Sequence, residues 1–108
     1  MKTPLESGET LLREGRANLQ RGIETVGGSL ALTNRRLVFE PHALNVQTQV
    51  LVVPLATIAS LALAWTKFLN LIPIFPNSLS VLLDDGTEHR FVLVGRDQWL
   101  AVIDAARR

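Results

Sequence analysis

The sequence predicts a mainly β domain closed by one C-terminal helix, and three observations carry that reading. Two apolar runs flank the polar Thr33-Asn34-Arg35-Arg36, which is the pattern of a tight hairpin. Apolar residues alternate along 59–65 and again at Leu79, Val81, Leu83, Phe91 and Leu93, as in half-buried strands. Trp99, Val102, Ile103 and Ala106 then change to i, i+3, i+4, i+7 spacing, which gives a helix one apolar face.

Composition bounds the possibilities. A chain of 108 residues suits one domain, and a hydrophobic fraction of 47% supplies a core. Eleven basic against ten acidic residues give a net charge of +1, so no global field draws the protein to nucleic acid. The absence of cysteine removes disulfides, thiolate nucleophiles and thiolate metal sites together, which fits a reducing compartment. Residues 1–6 lack the apolar core of a secretory signal, and a cytoplasmic location is expected. Between positions 41 and 83 the only formally charged side chain is Lys67. A spanning helix over 46–65 would have the length for a bilayer, but Gln47, Thr48, Gln49, Pro54, Thr57 and Ser60 interrupt it. Its Val-rich first half suits a buried pair of strands better.

Taken in order, residues 1–8 read as a flexible N-terminal arm ahead of a domain spanning 9–108. A first strand is expected over about 11–19, with Leu12, Arg13, Glu14 and Arg16 near its edge or solvent face. The opening hairpin follows at 23–33 and 36–40. Asn34 tolerates a left-handed backbone, so Asn34-Arg35 suits a two-residue loop. That loop sets Leu32 against Leu37 and Leu30 against Phe39 on one face, with Ala31 opposite Val38 on the other. Gly27-Gly28 reads as a bend or bulge where the sheet coils. Pro41-His42 ends the hairpin, and 43–47 connects onward as a loop. Residues 49–53 form a strand closed by Pro54, which has no N–H for a ladder. Residues 55–58 make a helical turn or an irregular crossing. The next strand, 59–65, turns Ala59, Leu61, Leu63 and Trp65 inward.

Residues 67–77 read as a loop of unusual character, because they carry Phe68, Leu69, Leu71, Ile72, Ile74 and Phe75 beside Lys67 and two prolines. Such a stretch folds back over an open end of the sheet, buries against a partner or a second copy, or inserts into a membrane interface with Lys67 at headgroup level. Beyond it, a two-residue turn at Asp85-Gly86 would set Phe91 on the wrong face. A three-residue turn, Asp84-Asp85-Gly86, pairs Leu79 with Phe91 and puts His89 on the face of Val81, near the rim. Asp97 is the expected N-cap of a helix reaching about Ala106, with Trp99 plugging the open end of the sheet and Arg107 and Arg108 at the negative end of its dipole.

The segment from Gly28 through Thr33-Asn34-Arg35-Arg36 to Phe39 resembles the core signature of GRAM domains. Upstream, Glu9 to Gly15 and Ala17 look like that family's first strand, and Ile58 and the Asp84-Asp85-Gly86 turn fall where later elements are expected. The likeness covers roughly 9–106. Because Arg outnumbers Lys, a small bacterial stand-alone member is the expected kind. The resemblance implies a pleckstrin-homology-like fold: a strongly bent antiparallel sheet, or partly open barrel, of about seven strands capped by one helix. It also implies either membrane-lipid binding or protein interaction. In pleckstrin-homology domains that bind phosphoinositides, basic residues near the first hairpin hold phosphates, which singles out Arg13, Arg16 and Arg21, with Arg35 and Arg36 as the motif's own basic pair. Glu14 and Glu24 sit among them, and a solvated mixed-charge surface is the competing reading.

No catalytic constellation, cofactor fingerprint or metal-ligand spacing is present in the sequence: the two histidines, His42 and His89, stand apart, and Asp84 and Asp85 read as turn formers. No enzyme, cofactor, metal or nucleic-acid role is expected. The function expected is a binding module that contacts a protein, or a second copy, through Lys67, Phe68, Leu69, Leu71, Ile72, Ile74 and Phe75. The alternative is a peripheral membrane module that inserts the same stretch and holds headgroups with Arg13, Arg16, Arg21, Arg35 or Arg36.

Overall fold

The hairpin marked by Thr33-Asn34-Arg35-Arg36 forms in the expected register: Leu32 lies opposite Leu37, Ala31 opposite Val38 and Leu30 opposite Phe39. All four large members of the inward set are at most 1% exposed. With about 1.5–3 kcal/mol per buried side chain of this size, a one-residue slip would forfeit roughly 6–12 kcal/mol, so this register is dictated by burial rather than by the turn alone.

The computed structural model describes residues 1–22, 24–43, 49–68 and 72–108, and the side chains of 65–68 and 72–77 lie outside that description. Seven strands occur in the order β1 (Leu11–Arg21), β2 (Glu24–Thr33), β3 (Arg36–Pro41), β4 (Leu51–Pro54), β5 (Ile58–Phe68), β6 (Ile72–Leu83) and β7 (Glu88–Leu93). A 3₁₀ turn, Leu55–Thr57, joins β4 to β5, and helix α1 (Arg96–Ala106) ends the chain. The strands form one antiparallel sheet in the order β4-β3-β2-β1-β7-β6-β5. The span weighed as a membrane helix is thus β4, the 3₁₀ turn and most of β5, and no helix among the described residues is long and apolar enough to cross a membrane.

The core lies on the face that carries Leu30, Leu32, Leu37, Phe39, Leu79, Val81 and Phe91, with Trp99 and Ile103 of α1 closing over it. Phe39 and Phe91 meet at 5.9 Å between ring centroids with planes tilted by 45°, which joins β3 and β7 across the core through one aromatic pair. Leu79 lies opposite Phe91 and Val81 opposite His89, and Leu83 N–H donates to Thr87 O at 2.8 Å. The β6–β7 turn is therefore the three-residue Asp84-Asp85-Gly86 turn.

Five expectations need correction. Gly27-Gly28 makes no bulge, since Ala17↔Gly28 and Asn18↔Gly27 continue one register. Gly28 instead permits close approach: a Cβ there would lie 2.3 Å from Glu40 O and 2.8 Å from the Phe39 ring. The register shift falls at Leu12, between Leu11 and Arg13. The helix N-cap is Gly95, in the left-handed region at φ 74°, with no side-chain cap, while Asp97 lies in the first turn near the positive end of the dipole. Leu63 is not covered: it shares the inner face with Leu61 and lies opposite Leu79, but it is 43% exposed. Arg13 does not lie at the solvent face: its guanidinium sits 5.0 Å over the Trp99 ring. Finally, 67–68 and 72–77 are strand and not loop. Lys67 and Phe68 end β5, Ile72 begins β6, and Lys67↔Pro73 and Phe68↔Ile72 are paired.

The expected places of Ile23, of the connection over 44–48, of the Trp65 side chain and of Leu69 and Leu71 lie outside the described residues. The segment ahead of β1 lies against the sheet. The Met1 amino group pairs with Glu14 of β1, and Glu40 of β3 accepts from Lys2 N–H and from both N–H and Oγ1 of Thr3. In the row of Glu14 stand Ala31 and Val38, which are 1% and 0% exposed although they occupy the face away from the core.

Candidate functional site

The signature residues are bonded to one another and to the segment before β1. Thr33 Oγ1 donates to Glu9 Oε2 at 2.6 Å and accepts from the N–H groups of Arg35 and Arg36 at 3.1 and 3.0 Å. Asn34 Oδ1 accepts from Thr10 N–H, and its Nδ2 donates to Gly8 O. Arg36 bonds Glu9 in a fork, Nε to Oε2 at 2.8 Å and Nη2 to Oε1 at 2.9 Å, and Nη2 also reaches Pro4 O. Arg36 foremost, then Thr33 and the Glu6 backbone, hold the Glu9 carboxyl down at about 2. The side chains of Thr33, Asn34 and Arg36 are thereby bonded to the chain itself, so the motif is a clamp on the incoming strand.

The five arginines proposed for anions are dispersed. Arg36 is consumed by the clamp, Arg13 lies over Trp99, and Arg35 lies across Gly8, where a Cβ would stand 2.9 Å from its Nη2. Arg21, exposed at the β1–β2 turn, borders a crevice with Leu51 and His89. Arg16 alone of the five lines a groove of about 650 Å³ across the outer face of β1, β2 and β7. There the strand period sets exposed Asn18 on the same side, Gly27 forms part of the floor, and His42 and Arg96 stand at the walls. Arg96 is fixed by Nη1 donating to Ala64 O at 2.7 Å. Arg16 makes no ion pair among the described residues. Asn18 was legible as Arg16's neighbour two positions on, whereas His42 and Arg96 reach the groove only through the fold.

His89 is half-buried on the core side between two crevices, one bordered by Val53, Asp84 and Asp85 and the other by Leu19 and Leu51. Burial lowers its pKa, and the nearby Asp85 carboxylate opposes that shift only in part. Among the described residues no group of three or more His, Asp and Glu side chains is placed to hold a metal ion.

The apolar stretch occupies a different place. The pairing of β6 with β7 stops at Ser78↔Val92, while its pairing with β5 continues through Thr66↔Phe75 and Lys67↔Pro73 to Phe68↔Ile72. The end of the β5–β6 hairpin is thus a two-stranded ribbon that runs past the rest of the sheet, and it carries Lys67, Phe68, Ile72, Ile74 and Phe75 in its strands. None of the proposed arginines lies in it.

Comparison with known proteins gives the following matches. The GRAM domain family model matches residues 1–91. No curated protein matches the chain. Among solved structures, the C-terminal domain of an unknown protein from Leishmania infantum is similar at a TM-score of 0.77 and 18% identity, covering 94% of this chain and 86% of that one. The Vps36 N-terminal PH domain is similar at 0.70 and 18% identity, over 96% of this chain and 83% of that one. The linker-DH/PH domains of p115-RhoGEF, N-terminally truncated, match at 0.69 and 14% identity, over 94% of this chain but 30% of that one. At these identities the structural likeness establishes the fold, a PH-like one.

Proposed function

Because this chain belongs to the GRAM domain family, we propose that it is a non-catalytic binding module that contacts protein, including a second copy of itself, through the ribbon formed by 65–77. The observation that carries this reading is where the sheet pairing ends: past Ser78↔Val92, among the described residues, β6 is paired with β5 alone. A two-stranded hairpin by itself is marginal in water, and this one is built from Phe68, Ile72, Ile74 and Phe75 with Lys67 as its sole charge. A partner strand or surface that docks on this ribbon supplies the neighbour that the sheet does not, and the apolar composition of the stretch suits such a contact.

A second reading rests on Arg16. It stands without an ion pair at the mouth of the groove it shares with Asn18 and His42, and a phosphorylated headgroup there would accompany insertion of the ribbon into a membrane interface. This would place the protein at the cytoplasmic side of a membrane as a peripheral module.

The two readings differ in a vesicle experiment. The native chain and a Phe68→Ser, Leu71→Ser, Ile72→Ser, Phe75→Ser variant, shown to be folded by its circular dichroism, are sedimented with neutral and with anionic vesicles while the mass of each is recorded. Under the proposed function the native chain stays in the supernatant and the variant has the lower mass. Sedimentation of the native chain with anionic vesicles, lost in the variant and in Arg16→Ala and weakened by salt, supports the membrane reading instead. Unchanged behaviour in both assays contradicts both.

A further inference from the structure

The two edges of the sheet are built differently. The β4 edge is four residues long and ends in Pro54, so it offers little backbone to a neighbouring strand. At the opposite edge β5 is eleven residues long, and from Ile58 to Thr66 it has no charged side chain. The usual devices that blunt an edge are missing along its middle: residues 60–63 contain no Lys, no Pro and no register shift, and their pairing with β6 is continuous from Ser60↔Leu82 to Leu63↔Leu79. Only the ends of this stretch are occupied, by Arg107 Nη1 donating to Ile58 O and Ala59 O, and by Arg96 Nη1 donating to Ala64 O. An antiparallel ladder uses the backbone groups of alternate residues, so half of those in 60–63 face away from β6, and no described residue bonds to them.

We infer that two copies of this chain join by antiparallel pairing of β5 with β5 about a two-fold axis at Ala62. This rests on the self-association proposed above and gives it a strand and a register. With Ala62 opposite its own counterpart, Leu61 of one copy faces Leu63 of the other, and Ser60 faces Ala64. Leu61 packs against the core from the inner face, while Leu63 on that same face is 43% exposed. The pairing therefore covers the one large side chain of 60–63 that the chain leaves open. On the outer face the opposed residues are Ser60, Ala62 and Ala64, small enough for two backbones to meet at sheet spacing. In this register only Ala62, on the axis, meets its own copy, and because 58–66 carries no charge no opposed pair sets like charges together. The occupant is a second β5, whose Leu61 covers the exposed Leu63 in this register.

The test uses Ala62→Lys and Ala62→Glu, since Ala62 is exposed and either side chain fits the isolated chain. The native chain has the mass of two copies by light scattering, each variant alone has the mass of one, and an equimolar mixture of the two recovers the mass of two because Lys faces Glu across the axis. A native chain of single-copy mass at its highest soluble concentration overturns the inference, as does a double mass that neither variant changes. The four-serine ribbon variant separates the two claims. If it falls to single mass while Ala62→Lys stays double, the ribbon is the interface and the β5 edge is not. If Ala62→Lys falls while the ribbon variant stays double, the edge pairing stands and the ribbon's part in self-association is refuted.

Discussion

At the scale of single residues, the account turns on Glu9, Thr33 and Arg36. Thr33 Oγ1 accepts from two backbone N–H groups at the β2–β3 turn, so Thr33→Val leaves them unsatisfied and is expected to cost about 1–3 kcal/mol, read as a lower denaturation midpoint. The Glu9 carboxyl titrates at about 2 when folded against an ordinary value of 4.5. A depressed carboxylate contributes stability that is full above the ordinary value and lost as pH falls toward the folded one. Melting temperature is therefore expected to drop between about pH 4.5 and pH 2 in the native chain, and Glu9→Gln to lower it at neutral pH while flattening that decline. His89 acts in the same direction at milder pH. Its burial favours the neutral ring, so protonation of the unfolded chain below about 6.5 withdraws stability as pH falls, a component that His89→Gln removes from the melting profile. The identity of the motif residues was legible in the sequence, but their partner was not. Glu9 stands 24 positions before Thr33, and no periodicity links a carboxylate to a turn at that separation.

At the scale of elements, Gly28 and Gly27 make a matched pair. A Cβ at Gly28 meets backbone, Glu40 O at 2.3 Å, whereas one at Gly27 meets the Asn18 amide at 3.3 Å, a side chain that can turn away. Gly28→Ala is expected to destabilise by about 1–3 kcal/mol through forced separation of β2 and β3, and Gly27→Ala by far less, as two denaturant titrations would show. The same pair explains what the sequence could convey about elements. Strand alternation and the Asp84-Asp85-Gly86 turn fixed faces and register, because a slip there moves Leu79 and Phe91 out of the core. Two adjacent glycines carry no such pattern, and close approach and a bulge leave the same mark on a sequence. The β5–β6 ribbon was misread for a related reason. Pro73 and Pro76 argued against regular structure, yet a strand at the end of a sheet with register shifts beside it, as here at 64–67, tolerates proline. The helix start was displaced because Asp97 suits a cap by type, while Gly95 alone can take the left-handed conformation found there.

At the scale of the whole molecule, the fold is a PH-like sheet whose core draws on every strand, with Ile58 and Leu61 from β5, and whose helix α1 reaches β5 through Arg107 at Ile58 and Arg96 at Ala64. Among the described residues those parts make no bond to the outward backbone groups of 60–63, and they stop short of the ribbon. The candidate site was therefore only half legible: the apolar run was evident in the sequence, but the sheet order that leaves it on an edge was not, since it depends on β7 pairing with both β1 and β6. Of the five arginines, the fold leaves Arg16 opening onto the groove, a distinction that charge counting could not make. The central claim, that contact is made through β5 and the ribbon, is tested most directly by amide hydrogen exchange of the native chain at low and high concentration. The account predicts that peptides covering 58–77 exchange more slowly as concentration rises while those covering β1–β4 keep their rates. Exchange over 58–77 that is the same at every concentration, or slowing confined to other strands, would contradict it.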